Sequence, residues 1–442
     1  MALRFYNSLT NKVEEFIPQN GKKVNMYVCG PTVYNYIHIG NARPVIFYDM
    51  MKRYLEFLGY EVTYASNITD VDDKIINKAL EQGKTEEEIA KFYEEQYWKA
   101  VEMVGSRKPD LIPHATAYIP EMINFINDLI KEGYAYGNDG DVFFRVGKIK
   151  DYGCLSNQVS DDLESGARIA VNDKKESPLD FALWKKTDKG IKWDSPFGAG
   201  RPGWHTECVC MNHKLFGEVI DIHGGGMDLK FPHHENEIAQ SEAKYHNHLA
   251  KYWLHVGRLD LQGEKMSKSL GNVIFVKDLE SKKDGMILRS LILFSPYRSI
   301  ISYSAELKEQ YAKEYDKWQR AYKQALYTLQ YNDIKGSMIN ESEINKFKEF
   351  MDDDFNVQNV LTLITDIVKE INVYTRSKDY DNLLLEVNTF KKILDVLGIN
   401  LFIEEMNEEQ LKCYKDWQDA RTNKDFAKAD IYRAKLLEWN IL

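Results

Sequence analysis

The chain is sparing with cysteine, with five residues at 29, 154, 208, 210 and 413 among 442. An odd number scattered so widely does not make a disulfide framework, and in a reducing compartment such thiols serve metals or catalysis. Long apolar runs are also missing. No stretch approaches the 18 or more residues of a membrane span, and the start, Met-Ala-Leu-Arg-Phe-Tyr-Asn, lacks the apolar centre of a secretion signal. The expected setting is therefore the cytoplasm, with no membrane partner. Positive charge is in deficit as well: a net charge of −10 excludes a chain that holds nucleic acid by bulk electrostatics, so any such partner needs local basic surfaces. Neither a Gly-x-Gly-x-x-Gly fingerprint nor a P-loop occurs, and there is no internal repeat or low-complexity tract.

What is present is an α/β pattern large enough for several domains. Residues 24–29 read as a short buried strand, broken by Gly30-Pro31-Thr32 before a helical pattern from about Ala42. A second strand over 61–68 ends in Thr69-Asp70, and amphipathic helices run on to Gly105. This alternation predicts a Rossmann-like parallel sheet, in which ligands bind at the carboxyl ends of strands. Between 119 and 202 short strands and glycine turns predict an insertion, after which the sheet pattern resumes. Residues 219–223 read as a strand ending in three glycines, 224–226; a helix is expected over 233–245 and a last strand over 252–256. Beyond Ser304, stretches such as 305–331 and 342–377 keep a 3.6-residue period with almost no glycine or proline, so the last third is expected to be an all-α helical bundle.

Three constellations carry chemistry. His233 and Glu237 stand four apart on a predicted helix, one turn from each other, where both can grip one ion. Cys29 and Cys208, at loops near strands of the same sheet, can join them in a sulfur, nitrogen and oxygen set of the kind zinc accepts. Spacing alone also fits two core cysteines and a solvated helix face. A zincin protease is disfavoured, because the position of its second histidine holds Ile238. For polyphosphate, His38-Ile39-Gly40-Asn41 precedes a helix whose N-terminus favours an anion, and Lys265-Met266-Ser267-Lys268-Ser269 puts two ammonium groups on a loop able to close over a nucleotide.

With these in view the chain resembles the class I aminoacyl-tRNA synthetases and, among them, the cysteinyl-tRNA synthetases. The matching blocks are Tyr27-Val-Cys-Gly-Pro-Thr-Val-Tyr34, Asn67-Ile-Thr-Asp-Val-Asp-Asp-Lys74, Gly203-Trp-His-Thr-Glu-Cys208, Asp221-Ile-His-Gly-Gly-Gly226, Phe231-Pro-His-His-Glu-Asn-Glu-Ile238 and Gly263-Glu-Lys-Met-Ser-Lys-Ser269. The resemblance implies zinc ligands at Cys29, Cys208, His233 and Glu237, one Zn²⁺ per chain, with Mg²⁺ accompanying ATP. It implies catalytic roles for His38, Asn41, Lys265 and Lys268, nucleotide contacts that add Gly40, Gly226 and Asp228, and an amino-acid pocket shaped by Thr69 and Trp204. Asn41 departs from the motif's second histidine, yet an amide still donates to a phosphate oxygen.

The implied organisation is a catalytic domain in two halves (1–118 and 203–257), an insertion (119–202), a stem-contact region with the lysine loop (258–303), a helical bundle (304–400) and anticodon-binding helices (401–442). The implied activity is ATP-dependent formation of cysteinyl-adenylate and transfer to the 3′ end of tRNA(Cys) by a monomer, with zinc selecting the thiolate of L-cysteine. Anticodon contacts fall on Arg421, Phe426 and Asp430, with Phe426 where a tryptophan is more usual, and Lys424, Lys428, Arg433 and Lys435 are available to phosphate. The chain stops at Leu442, before the short tail the family often carries, which bears on anticodon affinity and its placement. Two other readings compete: a ligase of the same catalytic domain that joins cysteine to an amino-sugar amine, which would lack the helices beyond Ser304, and a non-catalytic RNA-binding relative, which would have shed motif residues.

Overall fold

The computed structural model describes residues 2–157, 174–217, 219–266 and 271–442, with the side chain of Lys265 also left out. They divide into two units, 2–285 with 297–304, and 286–296 with 305–442.

The first unit opens with a hairpin of β1 (Arg4–Asn7) and β2 (Lys12–Glu15). Strand β3 (Lys23–Val28), helix α1 (Ile39–Phe57) and strand β4 (Glu61–Ser66) form a parallel β-α-β step, followed by α2 (Asp73–Gln82) and α3 (Glu86–Met103). After α4 (Ile119–Lys131), strands β5 (Ala135–Asn138), β6 (Asp141–Phe144), β7 (Phe181–Lys186) and β8 (Gly200–Pro202) pair antiparallel in that order as a separate sheet. The chain then returns through α5 (Trp204–Phe216), β9 (Ile220–Gly226), α6 (Glu235–Tyr245) and β10 (Ala250–Val256). These complete a parallel sheet in the order β10-β9-β3-β4. Next along the chain are β11 (Leu259–Leu261), β12 (Glu264–Lys265), α7 (Lys282–Leu293) and β13 (Ile301–Tyr303), with β11 paired to both β12 and β13. The open edge of β10 is covered by the hairpin turn, where Ser8 N–H donates to Trp253 O at 2.8 Å and Asn7 Oδ1 accepts Trp253 N–H at 3.0 Å.

The second unit is all helical: α8 (Ala305–Tyr331), α9 (Glu341–Asp352), α10 (Val357–Ser377), α11 (Tyr380–Leu397), α12 (Glu408–Thr422) and α13 (Phe426–Glu438). Asn340, Asn356, Asp379, Asn407 and Asp425 cap the starts of α9 to α13 with side-chain oxygens. Trp318, Phe347, Ile364 and Phe390 lie in its core. Among the described residues no helix is long and apolar enough to cross a membrane.

Four expectations are corrected. Helix α1 begins at Ile39 rather than near Ala42, because His38 caps it. The stretch 342–377 is two helices: Asp354 and Phe355 take left-handed backbone angles, and Asn356 then starts α10. Cys208 lies inside α5 and not at a loop. The strand read over 219–223 runs on through the triple glycine, which forms the last three residues of β9. A Cβ on Gly224 would lie 2.4 Å from the ring of Tyr48, so glycine there is what lets α1 pack against the sheet.

The Tyr48 hydroxyl accepts the Gly225 N–H at 2.8 Å and donates to Leu254 O at 2.7 Å, tying β9 to β10 through α1. Tyr48→Phe orphans these buried backbone groups and is expected to lower stability by about 2 kcal/mol, read from urea unfolding midpoints. An unchanged midpoint would show that the two strands do not depend on the phenol.

Candidate metal centre and adjoining pocket

The centre is built at the carboxyl ends of the parallel strands. Cys29 follows β3, and its N–H donates to Gly224 O of β9 at 3.1 Å. Asn67 follows β4 and accepts the Gly30 N–H at 2.8 Å. Cys208 comes one helical turn after Trp204, and His233 and Glu237 straddle the start of α6 one turn apart. The four sequence-predicted donors meet: Cys29 Sγ to Cys208 Sγ is 3.6 Å, Cys29 Sγ to Glu237 Oε1 3.5 Å, Cys208 Sγ to His233 Nε2 3.7 Å, and His233 Nε2 to Glu237 Oε1 2.8 Å. All four lie within 4.8 Å of one another. Tetrahedral zinc with arms of 2.0 to 2.3 Å has edges of about 3.3–3.8 Å; the three distances that involve sulfur fall in that range, the His233–Glu237 pair at 2.8 Å stands at hydrogen-bond length instead, and the donor set fits zinc in chemistry.

Charge is arranged to match. Burial favours the acid form of Glu237, but the His223 and His233 rings outweigh it and hold the carboxyl well below its usual range. Burial pulls His233 down, while Glu237 and Cys208 raise it to about 10. Burial, with the Cys208 sulfur close by, raises the Cys29 thiol, and the hydrogen bond from Cys29 lowers Cys208 against the cost of its own burial. Without metal the pocket thus holds one thiol, one thiolate and an imidazolium–carboxylate pair.

The ligands are gripped from outside. His205 Nδ1 meets His233 Nδ1 at 3.0 Å, which turns Nε2 of His233 toward the sulfurs, and His223 Nε2 meets Glu237 Oε2 at 2.5 Å, leaving Oε1 for the centre. His234 Nε2 reaches Cys29 Sγ at 3.3 Å. Sequence reasoning missed His205 and His223 and left His234 open; the one available signal was polar side chains inside otherwise apolar segments. Cys210 is buried in the apolar core and is not one of the four donors.

Trp204, 40% exposed, stacks on His233 with ring centroids 4.3 Å apart, and forms a wall between the centre and solvent. Thr69 is buried and donates to Glu207 Oε2 at 2.7 Å, while burial raises the Glu207 carboxyl well above its usual value.

At the start of α1, His38 and Asn41 form a reciprocal cap: His38 Nδ1 accepts the Asn41 N–H and Asn41 Oδ1 accepts the His38 N–H, both at 3.3 Å. The cap engages His38 Nδ1 and Asn41 Oδ1. Residues 274–276 run beside this turn, with Ile39 N–H on Ile274 O at 2.9 Å and Val276 N–H on Ile37 O at 3.0 Å. A Cβ on Gly40 would come within 2.9 Å of Met266 Cε, so the lysine segment packs onto the turn at Met266. Lys265 begins that segment in β12, while its side chain and Ser267, Lys268 and Ser269 lie outside the described residues. Gly226 ends β9, and Asp228 lies in the short turn after it. In the second unit Arg421, Phe426 and Asp430 are exposed near the junction of α12 and α13, with Arg421 over the Trp417 ring at 4.7 Å.

A parallel sheet with a metal-ready donor set and a capped turn at its carboxyl edge is in keeping with the catalytic domain of a class I tRNA synthetase, and the chain carries that domain. Residues 15–313 match the family described as tRNA synthetases class I (C) catalytic domain, and residues 346–402 match the DALR domain. The chain is 52% identical to a cysteine–tRNA ligase of Acholeplasma laidlawii, over 99% of both chains, and 47% identical to one of Anoxybacillus flavithermus, over 100% of this chain and 97% of the relative. It belongs to the cysteine–tRNA ligase family. Solved structures at low identity share its fold: Mycobacterium tuberculosis methionyl-tRNA synthetase with methionyl-adenylate (TM-score 0.59, 14% identity, 85% of this chain and 89% of that one) and Thermus thermophilus arginyl-tRNA synthetase (TM-score 0.54, 13%, 90% and 85%).

Proposed function

We propose that this chain joins L-cysteine to tRNA(Cys) through a cysteinyl-adenylate, reading the amino acid by its thiolate at a zinc centre and acting as a cytoplasmic monomer. The observation that carries the reading is the convergence of Cys29, Cys208, His233 and Glu237 beside Trp204 at the carboxyl edge of the sheet. Serine is nearly isosteric with cysteine, and an apolar pocket rejects such an analogue only about 100-fold. Zinc held by these four residues supplies a centre that a thiolate binds well and an alcohol poorly.

The protein's own groups do the rest. Trp204 and Thr69 shape the space for the amino acid, and the substrate carboxylate attacks the α-phosphate in line. His38 Nε2 and Asn41 Nδ2 donate to phosphate oxygens as negative charge builds there, and Lys265 and Lys268 add ammonium groups. Gly226 and Asp228 hold the nucleotide, with Mg²⁺ on the departing pyrophosphate. The 2′-hydroxyl of the terminal ribose then attacks the cysteinyl carbonyl, the bond to the adenylate phosphate breaks, and AMP leaves. We assign catalysis to 1–118 with 203–257, the insertion to 119–202, the lysine loop and tRNA stem to 258–303, and the bundle and anticodon reading to 304–400 and 401–442. Exposed Phe426 supports stacking on a splayed base beside Arg421 and Asp430.

The test is cysteine-dependent exchange between ATP and pyrophosphate, followed by charging of tRNA(Cys). Exchange with cysteine and not serine, and transfer to tRNA and not to an amino-sugar amine, are the expected results. Absence of exchange in zinc-loaded protein would end the reading.

A further inference from the structure

Beneath the four donors runs a buried chain of hydrogen bonds that the proposed reaction does not use. Cys29 Sγ meets His234 Nε2 at 3.3 Å, His234 Nδ1 meets His255 Nε2 at 2.8 Å, and His255 Nδ1 meets Ser8 Oγ at 2.8 Å. His234, His255 and Ser8 are 0%, 1% and 2% exposed. They come from distant parts of the sequence: the N-terminal hairpin turn, the residue before α6, and strand β10. The hairpin is held in place independently, since Asn7 Nδ2 donates to Lys251 O at 3.1 Å and Ser8 N–H to Trp253 O at 2.8 Å.

We propose that Ser8 is a positioning residue for the metal centre: its hydroxyl donates to His255 Nδ1 and so holds the outer end of a relay ending in an N–H on the Cys29 sulfur. The deduction rests on the zinc reading and proceeds by counting hydrogens. A metal-bound cysteine is a thiolate and only accepts, so the hydrogen between Cys29 and His234 sits on Nε2. Neither ring lies near solvent, and each is neutral with a single N–H. His234 Nδ1 then accepts, and His255 Nε2 donates to it. His255 Nδ1 accepts in turn, and the donor facing it is Ser8 O–H. With alanine at position 8, His255 Nδ1 is left a buried acceptor without a partner. The opposite pair of tautomers does not relieve that: it makes His255 Nδ1–H a buried donor without a partner and turns a lone pair of His234 against the Cys29 thiolate. Outer partners of this kind fix the orientation and charge of a ligand, and their loss weakens metal binding.

The test uses full-length protein. Zinc affinity is measured by competition with a chromophoric chelator for wild type, Ser8→Ala and Ser8→Thr, and the histidine tautomers of zinc-loaded wild type are read from long-range ¹H–¹⁵N correlation. Ser8→Ala is expected to bind zinc about 10-fold more weakly, with Ser8→Thr restoring most of the affinity and His255 protonated at Nε2 in the wild type. Wild-type affinity in Ser8→Ala, an equal loss in Ser8→Thr, or a proton on His255 Nδ1 would each overturn the relay while leaving the zinc reading intact. A wild type that holds no zinc overturns both.

Discussion

Cys29→Ala is expected to leave a folded chain that holds no zinc and exchanges pyrophosphate with cysteine about a thousandfold more slowly, a loss of about 4 kcal/mol at roughly 1.4 kcal/mol per tenfold. The fold is expected to survive because Cys29 lies at the end of β3, partly exposed, and its backbone N–H bond to Gly224 does not involve the sulfur. The metal is expected to leave because Cys29 Sγ is a shared corner of the set: it lies 3.6 Å from Cys208, 3.5 Å from Glu237 and 3.3 Å from His234. Three donors remain, but one of two thiolates is gone, and with it the N–H contact from His234. What is lost to catalysis is recognition, since the turn of His38 and Asn41 is untouched and ATP should bind as before. Metal content by mass spectrometry, exchange at saturating ATP, and ATP binding measured separately distinguish these effects. A variant that exchanges at the wild-type rate without metal would remove Cys29 from the donor set.

The readable part of this site was the part that repeats at a fixed spacing or lies in one continuous block. His233 and Glu237 are legible because a helix puts residues four apart on one face. Cys29 and Cys208 were legible as candidates from their places near strands of one sheet and as ligands by resemblance: 179 positions apart, nothing local shows that β3 and α5 bring their sulfurs to 3.6 Å. His205, His223, His234 and His255 were harder still, because each is one polar residue recruited from a different element, and a lone buried histidine looks the same whether it braces a ligand or fills a core. The place of Gly224 inside β9 was not legible for a related reason. Its function is close approach to Tyr48, which depends on where α1 passes over the sheet, and no window of sequence contains that fact. The break at 353–356 was missed because Asp354 and Phe355 both adopt the left-handed conformation at the joint, and although aspartate tolerates it, nothing in the sequence marks a bulky phenylalanine for it.

Zinc affinity is expected to rise about 100-fold for each pH unit between pH 6.5 and 8.5. The sign follows from which groups carry a proton in the metal-free pocket. Burial beside Cys208 raises the Cys29 thiol above its ordinary value, so Cys29 is protonated throughout this window. His233, pulled down by burial but raised to about 10 mainly by Glu237, is an imidazolium there. Both must be neutralised before they can serve, because a thiolate and a neutral imidazole are the ligating forms. Cys208, its thiolate favoured by the Cys29 hydrogen bond, and Glu237, held ionised by His223 and His233, arrive ready. Two protons therefore leave as one metal enters, and each contributes about 1.4 kcal/mol per pH unit to the apparent binding free energy. Had the environment lowered Cys29 and His233 instead, uptake would be nearly flat with pH. Chelator competition, corrected for the chelator's own protonation, gives the slope, and calorimetry in buffers of different ionisation enthalpy counts the protons directly. A slope near zero would mean that the pocket is prepared in its deprotonated form, and the imidazolium–carboxylate pair of His233 and Glu237 would have to be abandoned.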